Sequence, residues 1–224
     1  PSGQRMADVT IAYAVDAAFG FYYAGDLEAL QAAGAALVPF SPLRDRELPA
    51  CDGLFLGGGF PETHMDALEA NQAMRADVAG FINRGGPVYA ECGGLMYLCE
   101  DLTWHGNTRK LCGVIPAGVQ MHERPQGRGY VRLRETAAHP WPSLSQSPTA
   151  TSAHEFHYSA LTALPDGLEF AYEVERGFGL DGKRDGIVYR NLLASYAHLR
   201  NTQAHPWAER FVGFVRRVAA GSRG

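Results

Sequence analysis

Short apolar runs alternate with amphipathic stretches through the first part of the chain. Val9 to Val15 is predicted as the first strand. Asp26 to Ala33, with Leu27, Leu30 and Ala33 on one face, has the spacing of a helix. Ala36 to Phe40 gives a second strand, stopped by Pro42, and Asp52 to Leu56 a third that runs into Gly57-Gly58-Gly59. Thr63 to Asn83 carries helical spacing through Ala67, Met74, Val78 and Phe81, and Gly85-Gly86 ends it. Pro87-Val88-Tyr89-Ala90 is a fourth strand. Strands alternating with helices predict a mostly parallel sheet with helices on its faces, whose ligands bind at the carboxyl ends of the strands. From about Gly113 the pattern changes to polar–apolar alternation, in Gly129 to Glu135, Thr151 to Ser159 and Leu168 to Glu175. This half reads as an antiparallel extension on one edge of the sheet. His139 to Thr149, rich in Pro and Ser, is expected to be a surface loop. Asn191 to His198 is a further strand leading into a loop, and Trp207 to Ala219 a closing helix with Phe211, Phe214, Val215 and Val218 turned inward. No internal repeat interrupts this order, and the α/β pattern is read as one domain over residues 1–224.

Composition narrows the classes. A chain of 224 residues suffices for one sizeable core. The net charge of −4 comes without a long run of either sign, so there is no electrostatic footprint for nucleic acid. No apolar segment approaches membrane-spanning length. The chain opens on polar Pro1-Ser2-Gly3-Gln4-Arg5, with neither an initiating Met nor a signal-peptide pattern, and reads as the edge of a longer chain. Cys51, Cys92, Cys99 and Cys112 form no CxxC pair and suggest no disulfide framework, so a cytoplasmic setting is expected.

The chemistry concentrates at Cys92. It follows the fourth strand and precedes Gly93-Gly94 and an apolar helical pattern. That order places it on a tight strand-to-helix turn that lifts a side chain toward solvent, as in the nucleophile elbow of serine hydrolases. A helix N-terminus also favours a negative sulfur. The other three cysteines lie in apolar or element-edge contexts and are read as structural. A thiolate nucleophile needs a base. His198, at the end of the apolar block Leu193 to Ala197, is placed at the sheet rim and is the first choice. His154 and His157 are an odd number of positions apart, so they fall on opposite faces of a strand and do not share a metal ion. His64, His105, His122, His139 and His205 sit in polar or loop contexts and are expected to be solvated. In Gly57-Gly58-Gly59-Phe60-Pro61-Glu62 there is no lysine or hydroxyl of a phosphate loop, and Glu62 would repel phosphate. The loop, with Gly58 and Gly59 in the substrate site, is read as half of an oxyanion hole, the N–H groups of Gly59 and Gly93 being the donors. Gly177 to Lys183 has the glycine and lysine spacing of a phosphate loop, but Arg184 stands where a hydroxyl would hold magnesium and no helix follows. It is expected to be a hairpin turn.

Five blocks in order, Ala14 to Tyr23, Gly57 to Glu62, Tyr89 to Leu98, His154 to Ser159 and Ala194 to His198, resemble the cobyrinate (hydrogenobyrinate) a,c-diamide synthases over nearly the whole chain. The resemblance implies a class I glutamine amidotransferase fold, flavodoxin-like, in which Cys92 attacks the side-chain amide of L-glutamine and His198 carries protons. It implies no cofactor in this domain. ATP and Mg2+ are expected in an N-terminal domain absent from this chain, which in the family amidates the a and c carboxylates of a corrinoid macrocycle with ammonia. The sister synthase acting on nickel sirohydrochlorin fits the same blocks. A silent docking module and a cysteine hydrolase of peptides are the readings from other classes, and a homodimer is left open. This chain departs from the family where His198-Leu199-Arg200 lacks a second histidine. It departs from common class I enzymes where Ala90 and Met96 flank the cysteine and Arg200 takes the place of the glutamate. The group orienting His198 is therefore unassigned, with Asp16 and Glu155 as candidates.

Overall fold

A computed structural model describes residues 5–144 and 150–222. Nine strands, numbered along the chain, form the main sheet: β1 (Val9–Ala14), β2 (Ala35–Phe40), β3 (Gly53–Leu56), β4 (Val88–Glu91), β5 (Gly127–Glu135), β6 (Ala150–His157), β7 (Glu169–Arg176), β8 (Arg184–Tyr189) and β9 (Leu192–Ser195). Their spatial order is β6-β5-β7-β8-β9-β4-β3-β1-β2. From β9 to β2 every neighbouring pair is parallel. From β9 outward to β6 every pair is antiparallel. The two halves of the sequence pattern thus become the two halves of one sheet. β3, β4 and β9 are buried at every position, as strands covered on both faces must be. Along β5 burial alternates, because one side faces water.

Among the described residues five helices flank the sheet: α1 (Ala24–Ala32), α2 (Met65–Ala70), α3 (Gln72–Asn83), α4 (Gly93–Leu98) and α5 (Trp207–Gly221). On one face Leu30 of α1 and Phe211, Val212 and Val215 of α5 pack with Ile11, Phe55 and Tyr89. On the other, Leu68, Met74, Val78, Ile82 and Leu95 pack with Ala12, Leu54, Leu56 and Val88. Each fully buried Leu, Val or Phe in these stripes contributes roughly 1.5–3 kcal/mol.

Three expectations need correction. The helix predicted over 63–83 is a 3-10 turn (Pro61–His64) followed by α2 and α3, separated at Asn71. The Asn71 side chain accepts from the Met74 N–H and donates to the Pro42 and Asp45 carbonyls, which ends one helix and caps the next. The loop from His139 is not all surface. Trp141 is buried against Tyr89 and Phe211, and the His139 ring is covered by Trp141 and Tyr172. The part of that loop over 145–149 lies outside the described residues. The helix after Cys92 is a stub, because the chain turns at Cys99 into a second sheet. This sheet has the order Ser159–Leu161, Ile115–Met121, Cys99–Trp104, Asn107–Lys110. The turn from Gly177 to Lys183 does join two antiparallel strands, β7 and β8.

Candidate active site

Three adjacent parallel strands, β3, β4 and β9, deliver the site at their carboxyl ends. In register, Leu56 lies beside Ala90, and Glu91 beside Ser195. One step beyond these pairs stand the triglycine loop, Cys92 and the block that ends in His198. Cys92 has φ 47° and ψ −101°, a conformation that side chains rarely adopt. Its N–H donates to the Ser195 carbonyl at 2.8 Å and its carbonyl accepts from Met96 at 3.0 Å, which hold the turn from both sides. Gly94 makes the turn possible, since a Cβ there would lie 2.1 Å from the Leu56 carbonyl oxygen. The expectation that Cys92 stands open to solvent is corrected. The residue is 7 % exposed and borders a small cavity of about 40 Å³, lined also by Gly59, Glu62, Met121, Phe156 and Tyr158. Sγ is 3.9 Å from the Phe156 carbonyl oxygen.

The His198 imidazole lies beside the Cys92 side chain. It is almost wholly buried, its ring centroid 5.3 Å from that of Phe21 in an edge-to-face arrangement. Burial opposes charge on the imidazole, but contact with Cys92 and Glu91 outweighs it and pushes the ring up to about 10. The ring therefore holds its proton across the neutral range. The His198 backbone is fixed by a two-bond bridge to His154 on β6, with N–H to carbonyl distances of 2.7 and 3.1 Å. The far edge of the antiparallel extension thus curls back to pin the loop after β9. Asp185, buried, accepts from the N–H groups of Tyr196 and Ala197 at 3.0 Å each. Burial pushes its carboxyl up to about 6 despite these donors.

The acid facing His198 is Glu91. Its Oε1 is 3.8 Å from Nδ1, in ion-pair range and too far for a hydrogen bond. Glu91 also accepts from the Leu199 N–H at 2.7 Å and from the Tyr89 hydroxyl. Neither of the two acids named from the sequence reaches the histidine. Asp16 is spent on the N–H groups of Ala18, Phe19 and Leu43 and the Ser41 hydroxyl. Glu155 accepts from Phe178, Gly179 and the His157 ring. Burial raises the Glu155 carboxyl, but these donors outweigh it and hold it below its ordinary value. The signal for Glu91 was present: the position before the cysteine on a parallel strand must lie beside the end of the next strand, here the one that leads to His198.

The triglycine loop fits against the same centre. A Cβ on Gly58 would meet His198 Cε1 at 2.8 Å, and one on Gly59 would meet the Ala18 carbonyl at 2.0 Å. A Cβ on Gly93 would lie 3.0 Å from the Gly59 nitrogen, so the two candidate donor residues are neighbours. Gly58 and Gly59 pair with Phe21 and Phe19 in a short ribbon that brings Phe21 onto the histidine.

Of the other histidines, His154 is exposed and His157 buried, on opposite faces as expected. His157 stacks on Tyr196 at 3.9 Å. The solvated placement of His139 is corrected: its side chain is 4 % exposed, and burial pushes it down to about 4. Cys51, Cys99 and Cys112 are free thiols, and burial pushes Cys51 up to about 11 and Cys112 to about 12. Among the described residues no group of three His, Cys, Asp or Glu could hold a metal ion, and no helix is long and apolar enough to cross a membrane. The residues of the Gly177–Lys183 turn do not fit a nucleotide. The Phe178 and Gly179 amides already hold Glu155, and Arg184 is paired with Asp181.

A strand-to-helix cysteine, a histidine from the third strand end and a glycine ribbon beside them, on this sheet order, define a glutamine amidotransferase fold. The same fold is found in the structure of PurLQS from Thermotoga maritima, with TM-score 0.67 at 13 % identity over 96 % of this chain and 99 % of that one. A glutamine amidotransferase from Thermotoga maritima aligns with TM-score 0.58 at 11 % identity over 95 % of this chain and 97 % of its own. Residues 10–205 match the CobB/CobQ-like glutamine amidotransferase domain, and the chain belongs to that family. It is 47 % identical over 208 residues to the cobyrinate a,c-diamide synthase of Magnetococcus marinus, covering 93 % of this chain and 44 % of that protein. The chain therefore spans less than half the length of the curated relative.

Proposed function

We propose that this chain is the glutaminase unit of a corrinoid a,c-diamide synthase. Cys92 Sγ attacks the side-chain amide carbon of L-glutamine, its proton already resting on His198. The carbonyl oxygen, now negative, takes hydrogen bonds from the N–H groups of Gly59 and Gly93. The C–N bond breaks as His198 returns the proton, and ammonia leaves a γ-glutamyl thioester. Water, losing its proton to His198, releases glutamate and restores the starting pair of sulfur and protonated ring. Glu91 holds the positive charge that appears on the ring in both half-reactions. The Cys92 side chain and the His198 imidazole set side by side, at a cavity that Cys92 lines with Gly59, carry this reading.

The ammonia would serve the remainder of the longer protein, where an ATP- and magnesium-dependent step amidates two carboxylates of a tetrapyrrole. The names of the relatives favour cobyrinate as that macrocycle over nickel sirohydrochlorin. Free cysteines agree with a reducing, cytoplasmic setting. The test is labelling of the chain with 6-diazo-5-oxo-L-norleucine, a diazoketone analogue of glutamine, read by peptide mass spectrometry, together with glutamate release. Modification at Cys92, and loss of both signals in Cys92→Ala, are expected. Glutamate release that persists in Cys92→Ala defeats the reading.

A further inference from the structure

We propose that Glu62 binds the α-ammonium group of the amino-acid substrate, an assignment that rests on the glutaminase reading above. Glu62 lies in the 3-10 turn Pro61–His64, three positions beyond Gly59, and lines the same cavity as Cys92. The loop that supplies an oxyanion donor thus also sets a carboxylate into the cavity. Among the described residues lining that cavity, Glu62 is the one acidic side chain. It is half-buried, and no lysine, arginine or histidine among the described residues pairs with it; the hydrogen bond it accepts comes from its own amide. Burial holds its carboxyl above the ordinary range, the mark of a negative charge short of a partner. The other acids near the centre are committed: Glu91 to Leu199 and Tyr89, and Glu155 to Phe178, Gly179 and His157.

The rest of the lining does not compete for a cation. Phe60, Phe156, Met96 and Met121 are apolar, and the His157 ring nitrogens face Ser159 and Glu155. A glutamine whose amide meets Cys92 is neutral at that end and carries an ammonium at the other. An ammonium placed against Glu62 satisfies the carboxylate and selects the free amino acid over an amide lacking that charge. Charge-assisted hydrogen bonds of this kind contribute about 1.5–3 kcal/mol, which is a preference on the order of ten- to a hundredfold.

The experiment compares three reagents on wild-type, Glu62→Gln and Glu62→Asp chains. They are the diazoketone amino acid 6-diazo-5-oxo-L-norleucine, its desamino counterpart, and iodoacetamide. In wild type the amino acid should label Cys92 about ten- to a hundredfold faster than the desamino form. Glu62→Gln should erase that preference by slowing the amino acid alone, with iodoacetamide unchanged, and Glu62→Asp should keep part of it. A Glu62→Gln chain that retains the wild-type preference, or that slows both diazoketones and iodoacetamide equally, overturns the assignment. Wild-type Cys92 that reacts with iodoacetamide and with neither diazoketone overturns the glutaminase reading itself, and this assignment with it.

Discussion

Glu91 shows what a single residue contributes and what sequence hides. Cys92 and His198 were legible because each sits at the end of an apolar run, one of them before a glycine pair that only a tight turn requires. Glu91 was passed over because a glutamate beside a nucleophile looks like part of the turn, while Asp16 and Glu155 lie in blocks that invite a catalytic role. Pairing decides the matter, and strand register is not written in any local window. Replacing Glu91 with Gln keeps the shape and removes the charge beside the ring. The His198 midpoint, read by NMR, should then fall from about 10 toward the ordinary imidazole value. Turnover should drop about ten- to a hundredfold, less than in a directly hydrogen-bonded triad because the pair is 3.8 Å apart. An unmoved midpoint would remove Glu91 from this role.

At the level of elements, the first half of the sheet was legible from periodicity and the break at Asn71 was not. Apolar spacing runs through Asn71 without interruption, and only the carbonyls of Pro42 and Asp45, distant in sequence, turn it into a cap. Asn71→Ala should cost about 1 kcal/mol, seen as a lower urea midpoint with an unchanged slope. The sheet formed by 99–121 and Ser159–Leu161 escaped for the same reason, since its last strand arrives from a remote segment. The two glycines after Cys92 separate by element. Gly94→Ala drives a methyl into the Leu56 carbonyl, and should cost about 3 kcal/mol in thermal or urea unfolding. Gly93→Ala presses on the Gly59 nitrogen at 3.0 Å and should cost turnover while unfolding moves little. Equal stability losses in the two variants would contradict this division.

Across the whole molecule, buried ionisable groups set how stability responds to acid. His139 accepts from the Trp141 N–H and faces the Tyr172 hydroxyl, and burial keeps it neutral down to about 4. Unfolded, it takes a proton near pH 6.5. Between those values the unfolded chain binds the extra proton, so this group's contribution is lost as pH falls from about 6.5 to 4, by about 3 kcal/mol in all. Asp26 and Asp185, pushed up to about 6 by burial, act in the opposite sense and destabilise as pH rises toward that value. His139→Gln should therefore lower stability at pH 7 and lose less of what remains on acidification than wild type does. Parallel pH profiles in denaturant unfolding would exclude this role for His139. The bridge from His154 to His198, with Glu91 and Leu199 joined across 108 positions, has a further consequence for how the chain acquires its chemistry. Long-range closures of this kind form late. The sulfur can occupy its elbow while the His198 imidazole is still unplaced, so during refolding the chain should pass through an inert, sheet-containing stage. Reactivity toward the diazoketone should return only with the slowest fluorescence phase, as the final strands dock.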